Sequence, residues 1–244
     1  MSEITEKPNI KQIQERLIEM LQPGGWANLL KGYLRSSDFE NLLNFLVDEN
    51  LEGRRFTPSL KQLFRAFLEC PVDQVKVVMI GQDPYYQPLV ADGIAFSCGN
   101  TQKPEASLRY ILGAIERTVP FEDKAPVDDT TKFDLVRYSK QGILLINTAL
   151  TTEVGKSGKH VEQWKPFIEY LFDMLNFQKA GLIWGFMGKH AQAYQPLIGD
   201  HHYHFTSTHP AYAAYMKQSL WDCNDIFNKI NNKLTDLKKE KIMW

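Results

Sequence analysis

The run Val75-Lys76-Val77-Val78-Met79-Ile80, closed by Gly81 and followed by Gln82-Asp83-Pro84-Tyr85-Tyr86, decides how this chain is read. It is short, apolar and rich in β-branched residues, which suits a strand buried on both faces. Three runs of the same kind follow. They are Gly142-Ile143-Leu144-Leu145-Ile146, Ala180-Gly181-Leu182-Ile183-Trp184 and the weaker His202-Tyr203-His204-Phe205-Thr206. Helix-spaced segments lie between them, over 107–117, 134–139, 164–175 and 188–197, and a last one runs over 221–237. Buried strands alternating with helices predict an α/β fold: a central four-stranded parallel sheet flanked by helices on both faces.

Upstream, residues 1–55 read as a helical N-terminal layer. Ile10, Ile13, Leu17, Met20 and Leu21 follow helix spacing until Pro23-Gly24-Gly25 stops them. A second helix carries Trp26, Leu29, Leu30, Tyr33 and Leu34. A third opens at Ser37, with Glu40 completing a capping box. A fourth carries Leu60, Leu63, Phe64, Phe67 and Leu68 and ends at Pro71. The run Lys238-Lys239-Glu240-Lys241 predicts a solvated charged tail over 238–244. No repeat or linker divides the 244 residues, so one domain over 1–244 is expected.

Lys plus Arg is 28 and Asp plus Glu is 29, a net charge of -1. This excludes a histone-like basic binder but leaves room for a local basic face. Cys70, Cys98 and Cys223 form no close pair, which argues against a disulfide framework or a cysteine zinc site. No run approaches the roughly 20 apolar residues of a membrane span. The N-terminus lacks the basic and apolar regions of a signal peptide, so a cytoplasmic protein is expected. Gly155-Lys156-Ser157 looks like the end of a phosphate-binding P-loop, but Leu150 stands where its first glycine belongs. His201, His202 and His204 cannot all share one face of a strand, so no metal is expected there.

Ligands of open parallel sheets bind beyond the carboxyl ends of the strands. Those positions hold Gln82-Asp83-Pro84-Tyr85-Tyr86, Asn147-Thr148, Gly185-Phe186 and Ser207-Thr208-His209-Pro210. An acid, an amide, a histidine and aromatics thus converge on one edge. Singly, each has a plain reading: Asp83 and Asn147 as turn caps, His209 as a His-Pro turn, Phe96 as core.

Taken in order, the blocks are more specific. Gly81-Gln82-Asp83-Pro84-Tyr85 and Asp92-Gly93-Ile94-Ala95-Phe96-Ser97 resemble the uracil-DNA glycosylase family, of its family-1 type. Pro104 with Ser107-Leu108, the stretch from Gln141 through Asn147 to Thr151, Trp164 with Phe167, Ile183-Trp184-Gly185 and His209-Pro210 continue the resemblance. It runs from about Phe56 to Leu234. It implies hydrolysis of the bond between uracil and deoxyribose, leaving an abasic site for base excision repair, with no cofactor. Asp83 and His209 are the implied catalytic residues. Asp83 would activate water and stabilise the sugar cation, and a neutral His209 would donate to the base carbonyl as negative charge develops. Gln82 and Asp83 would offer backbone N–H groups, Tyr85 would crowd C5, Phe96 would stack on the base and Asn147 would read its N3–H and O4 edge. Ser107, Pro210, Tyr212 and Ala213 are the implied DNA contacts, with Lys156, Lys159, Lys189 and Lys217 as candidate phosphate neighbours. The implied partners are single- or double-stranded uracil-containing DNA and a DNA-mimicking protein inhibitor; a monomer is expected.

The chain also departs from the pattern. Tyr86 stands where the family has histidine, Phe186 where serine follows Gly185, and Ala211 where serine follows His-Pro. Tyr212 and Ala213 replace the proline and the wedge leucine, and Asp92 stands where histidine is common. Tyr212 or Tyr215 is then the candidate wedge. Two further readings remain open: a glycosylase for another modified pyrimidine, and a DNA-binding homologue without turnover. A nucleotide-binding regulator has only the fold class behind it.

Overall fold

The computed structural model describes residues 8–101 and 103–244. The signal-peptide reading rests mainly on residues 1–7, which lie outside the described residues. The N-terminal layer consists of α1 (Ile10–Met20), α2 (Trp26–Leu29), α3 (Lys31–Leu34) and α4 (Ser37–Leu51). Asn9 caps α1 by accepting from the Gln12 N–H. The helix expected over 26–34 divides at Leu30, whose ψ of 6° departs from the helical value. Ser36, not Ser37, caps α4: its Oγ accepts from the Phe39 N–H at 3.3 Å.

Next come β1 (Phe56–Thr57) and α5 (Arg65–Leu68). The helix expected over 60–68 shrinks to that last turn, and Leu60 is 42% exposed. The remaining elements are β2 (Val77–Gly81), α6 (Ala106–Thr118), α7 (Val136–Ser139), β3 (Ile143–Asn147), β4 (Thr152–Glu153), α8 (Val161–Gln178), β5 (Ile183–Met187), α9 (Lys189–Gln192), β6 (Tyr203–Ser207), α10 (Pro210–Tyr215) and α11 (Ile226–Asp236).

The main sheet is parallel throughout, in the order β3-β2-β5-β6. Every residue of β2 and β5 is buried. Side chains alternate between the faces of a strand, so both faces are covered. The chain leaves β2 for β3 on one side, then crosses to β5 on the other. That reversal opens a crevice at the carboxyl ends, where Gly81 lies level with Asn147 and Met187 with Ser207. β1 and β4 form a separate antiparallel pair.

The end of the chain is only partly the solvated tail expected. Lys238 to Lys241 are exposed, but Ile242 and Trp244 are buried. The Asn231 side chain brackets Ile242, accepting from its N–H at 2.9 Å and donating to its carbonyl at 2.9 Å. Burial of two apolar side chains outweighs the solvation of the lysines that precede them. The three cysteines are buried and unpaired. Among the described residues, no helix is long and apolar enough to cross a membrane.

Candidate active site

The loop after β2 is tied to the loop after β3. The Gly81 carbonyl accepts from the Thr148 N–H at 3.1 Å, and the Gln82 carbonyl from the Ala149 N–H at 3.0 Å. Thr148 Oγ1 adds a third bond, donating to the Gln82 carbonyl at 2.9 Å. Among the described residues, the N–H groups of Gln82 and Asp83 have no acceptor in the protein. They remain available to a ligand. Asp83 is half-buried, and its Oδ2 accepts from Ser157 Oγ at 2.8 Å and from the Gly158 N–H at 2.5 Å.

Phe96 and Asn147 close around Gly81. A Cβ on Gly81 would collide with Asn147 Oδ1 and lie 3.2 Å from Phe96 Cζ. Only glycine lets both side chains approach so closely. The Asn147 amide makes no hydrogen bond among the described residues. Phe96 has a φ of 66°, an arrangement that costs a non-glycine residue roughly 1–2 kcal/mol. Its neighbours hold it there. Asp92, fully buried, accepts from the Ile94 N–H, from Ser97 Oγ at 2.6 Å and from the Gly99 N–H, and pairs with Arg65 Nη1 at 2.9 Å. Burial pushes the Asp92 carboxyl up, against these donors. Tyr85 donates its hydroxyl to the Phe96 carbonyl at 3.1 Å, which fixes its ring beside the same segment. Burial holds that phenol well above its ordinary range, so it stays a donor.

His209 caps α10. Its Nδ1 accepts from the Ala211 N–H at 3.1 Å, so in the neutral ring the proton sits on Nε2. Burial lowers its pKa; Asp83 opposes the shift and His190 adds to it. The His209 and Phe96 ring centroids are 6.0 Å apart. Gly188, at φ 92°, permits the approach, because a Cβ there would lie 2.6 Å from His209 Cβ.

This corrects the sequence reading of the third strand. Gly185 and Phe186 lie inside β5, and Phe186 is fully buried. Gly185 is a packing glycine, with Met79 and Ile226 each 3.4 Å from its missing Cβ. The carboxyl-end turn is Gly188-Lys189. Phe186 therefore replaces no loop serine; Lys189 occupies the loop. The same shift hid His190, whose Nε2 lies 2.7 Å from Thr148 Oγ1. Thr148 donates to Gln82, so His190 donates to Thr148 and completes a chain behind the Gln82–Asp83 peptide. Burial lowers the pKa of His190, with Asp83 and Glu162 opposing. A histidine just past a strand end was the available signal, obscured by ending the strand at Gly185.

A cleft of about 900 Å³ opens on this edge, lined by Gln82, Lys189, His190, Thr208, His209 and Tyr212 among others. Tyr85 and Asn147 line a separate crevice of about 20 Å³ behind it. His209 thus lines the first space and Asn147 the second, while Asp83 and Phe96 line neither. A second large cavity, about 540 Å³, lies between α1 and α4, away from the strand ends.

The implied DNA contacts divide. Pro210 and Ala213 are buried, Ala213 with 1% exposure, so neither side chain presents an open surface. Ser107 lies in the first turn of α6 with 7% exposure. Tyr212 at 53% and Tyr215 at 83% carry the exposed face of α10. Lys156 and Lys159 lie on the loop after β4, Lys189 follows β5, and Lys217 follows α10, but Lys156 is paired with Glu153 Oε1 at 2.8 Å. Among the described residues no group of three metal-ligating side chains is placed to hold an ion.

The model of the uracil DNA glycosylase superfamily matches residues 49–235. The uracil-DNA glycosylase of Acinetobacter baumannii strain SDF is 31% identical over 236 residues, covering 96% of this chain and 97% of the relative. That of Francisella tularensis subsp. tularensis is 32% identical over 221 residues, covering 90% and 97%. Among solved structures, mimivirus uracil-DNA glycosylase superposes with a TM-score of 0.78 at 25% identity, over 98% of this chain and 90% of its own. A variant of the mimivirus protein in complex with UGI gives 0.81 at 26%, over 98% and 91%.

Proposed function

This chain belongs to the uracil-DNA glycosylase superfamily, and we infer that its carboxyl-edge site hydrolyses the N-glycosidic bond between uracil and deoxyribose in DNA repair. One observation carries the assignment of roles: His209, with its proton on Nε2, stands beside Phe96, and Phe96 and the Asn147 amide close around Gly81, two residues before Asp83.

The chemistry follows from charge. Breaking the bond leaves positive character on the sugar and negative charge on the base. The Asp83 carboxylate stabilises the first and takes a proton from the attacking water. The Nε2–H of His209 donates to the base carbonyl that gains charge, and the Gln82 and Asp83 N–H groups are placed to donate as well. Phe96 stacks on the extruded base. Asn147 offers an acceptor to uracil N3–H and a donor to O4, a pattern that cytosine reverses. The Tyr85 ring, locked through Phe96, crowds C5 and excludes the thymine methyl.

A duplex hides the bond, so the nucleotide must be extruded. Tyr212 and Tyr215 are the exposed rings that can fill the gap. A DNA-mimicking protein would occupy the same cleft. The test is release of free uracil from single- and double-stranded uracil-containing oligonucleotides in EDTA. We expect release from at least one form, with Asp83→Asn reduced to a trace. No release from either form overturns the assignment.

A further inference from the structure

The Gly155-Lys156-Ser157 stretch fails as a phosphate loop, yet it reaches the site. Positive φ at Gly155 (87°) and Gly158 (73°) turns the chain twice within four residues. Thr152 Oγ1 donates to the Lys156 carbonyl at 2.7 Å, and the Gly155 N–H donates to the Tyr86 carbonyl at 2.9 Å. The turn is anchored from behind. His160 is fully buried; Trp164 Nε1 donates to Thr151 Oγ1 at 2.7 Å, and Thr151 Oγ1 lies 2.9 Å from His160 Nδ1. A stiff loop thus grips both ends of the Asp83–Tyr86 segment.

The grip on Asp83 is one-sided. Oδ2 takes both donors, Ser157 Oγ and the Gly158 N–H, while Oδ1 takes none among the described residues. Two donors on one oxygen fix the rotation of the carboxylate about its last bond. Among the described residues Tyr86, which stands where the family pattern has histidine, contributes only its backbone carbonyl, and the residue is 41% exposed. The side-chain donor to Asp83 therefore comes from the other loop. We propose that Ser157 is a positioning residue for Asp83: with the Gly158 N–H it pins Oδ2 and leaves Oδ1 to face the attacking water. This rests on Asp83 being the water-activating acid.

The test measures uracil release in single turnovers with the full chain, Ser157→Ala, Ser157→Thr, Asp83→Asn and the double variant. A charge-assisted hydrogen bond that holds the reacting group corresponds to about a tenfold slower step when lost. Ser157→Ala should lose that factor with unchanged half-saturation and unchanged Tm, and Ser157→Thr should recover most of it. In the Asp83→Asn background, Ser157→Ala should change nothing further. An unaltered rate in Ser157→Ala, or the same loss with Asp83 already replaced, overturns the proposal. So does a raised half-saturation at full rate, which marks Ser157 as a DNA contact. These outcomes leave the glycosylase assignment standing; a parent chain that releases no uracil removes both.

Discussion

Gly81→Ala tests the base pocket at its tightest point. The added methyl would overlap Asn147 Oδ1 and press on Phe96 Cζ at 3.2 Å and on Asn147 Cγ at 3.4 Å. Phe96 cannot retreat freely, because its left-handed backbone is held by the Asp92 network. Asn147, half-buried at a strand end, must rotate its amide away. Overpacking of this kind costs about 1–3 kcal/mol. For a chain of this size, about 2 kcal/mol lowers Tm by about 6 °C. A displaced amide also loses two hydrogen bonds to the base, about 1 kcal/mol each, so kcat/KM should fall about 30-fold. The assay is thermal unfolding beside uracil release. The decisive arm is Gly81→Ala combined with Asn147→Ala: removing the obstructing amide should restore most of the Tm while activity stays low. A single variant as stable and active as the parent would refute the packing, and a double variant no more stable than Gly81→Ala would refute Asn147 as the obstacle.

Two further outcomes follow from the site. Burial lowers the pKa values of His160, His190 and His209, and that of His202 to about 4. The unfolded chain takes up protons near the ordinary histidine value of about 6.5, whereas these folded groups resist protonation until lower pH. Stability should therefore fall as pH drops from about 6.5 towards 4, and uracil release should decline as His209 protonates, measured by urea titration and a kcat/KM profile; a flat stability curve across that window contradicts the burial. Replacing Tyr212 and Tyr215 together by Ala should slow release from duplex more than from single strands, because only the duplex needs its gap filled; equal losses on both substrates would exclude a wedge.

Much of this was legible from one-dimensional pattern. β2 and β3 stand out because strands covered on both faces must be apolar throughout. Asp83, Asn147 and His209 stood out by where they lie relative to the strand ends, whereas Phe96, which reads singly as core, entered only through the family resemblance. The failures are equally physical. β1 and β4, two residues each, are too short to show any periodicity. Gly185 was taken for a turn, when its lack of a side chain serves packing against Met79 and Ile226. That slip displaced the loop by three residues and concealed His190.

The amino-acid order alone determined the alternation of strands and helices and the sheet edge on which an acid, an amide and a histidine collect, because burial and backbone preference act locally. Only the tertiary structure decided which oxygen of Asp83 is held and by what, which ring nitrogen of His209 carries the proton, and which tyrosines face outward while Ala213 does not. Those are contacts between segments up to 75 residues apart, as in the Gly158 bond to Asp83, and they exist only after the chain has closed upon itself.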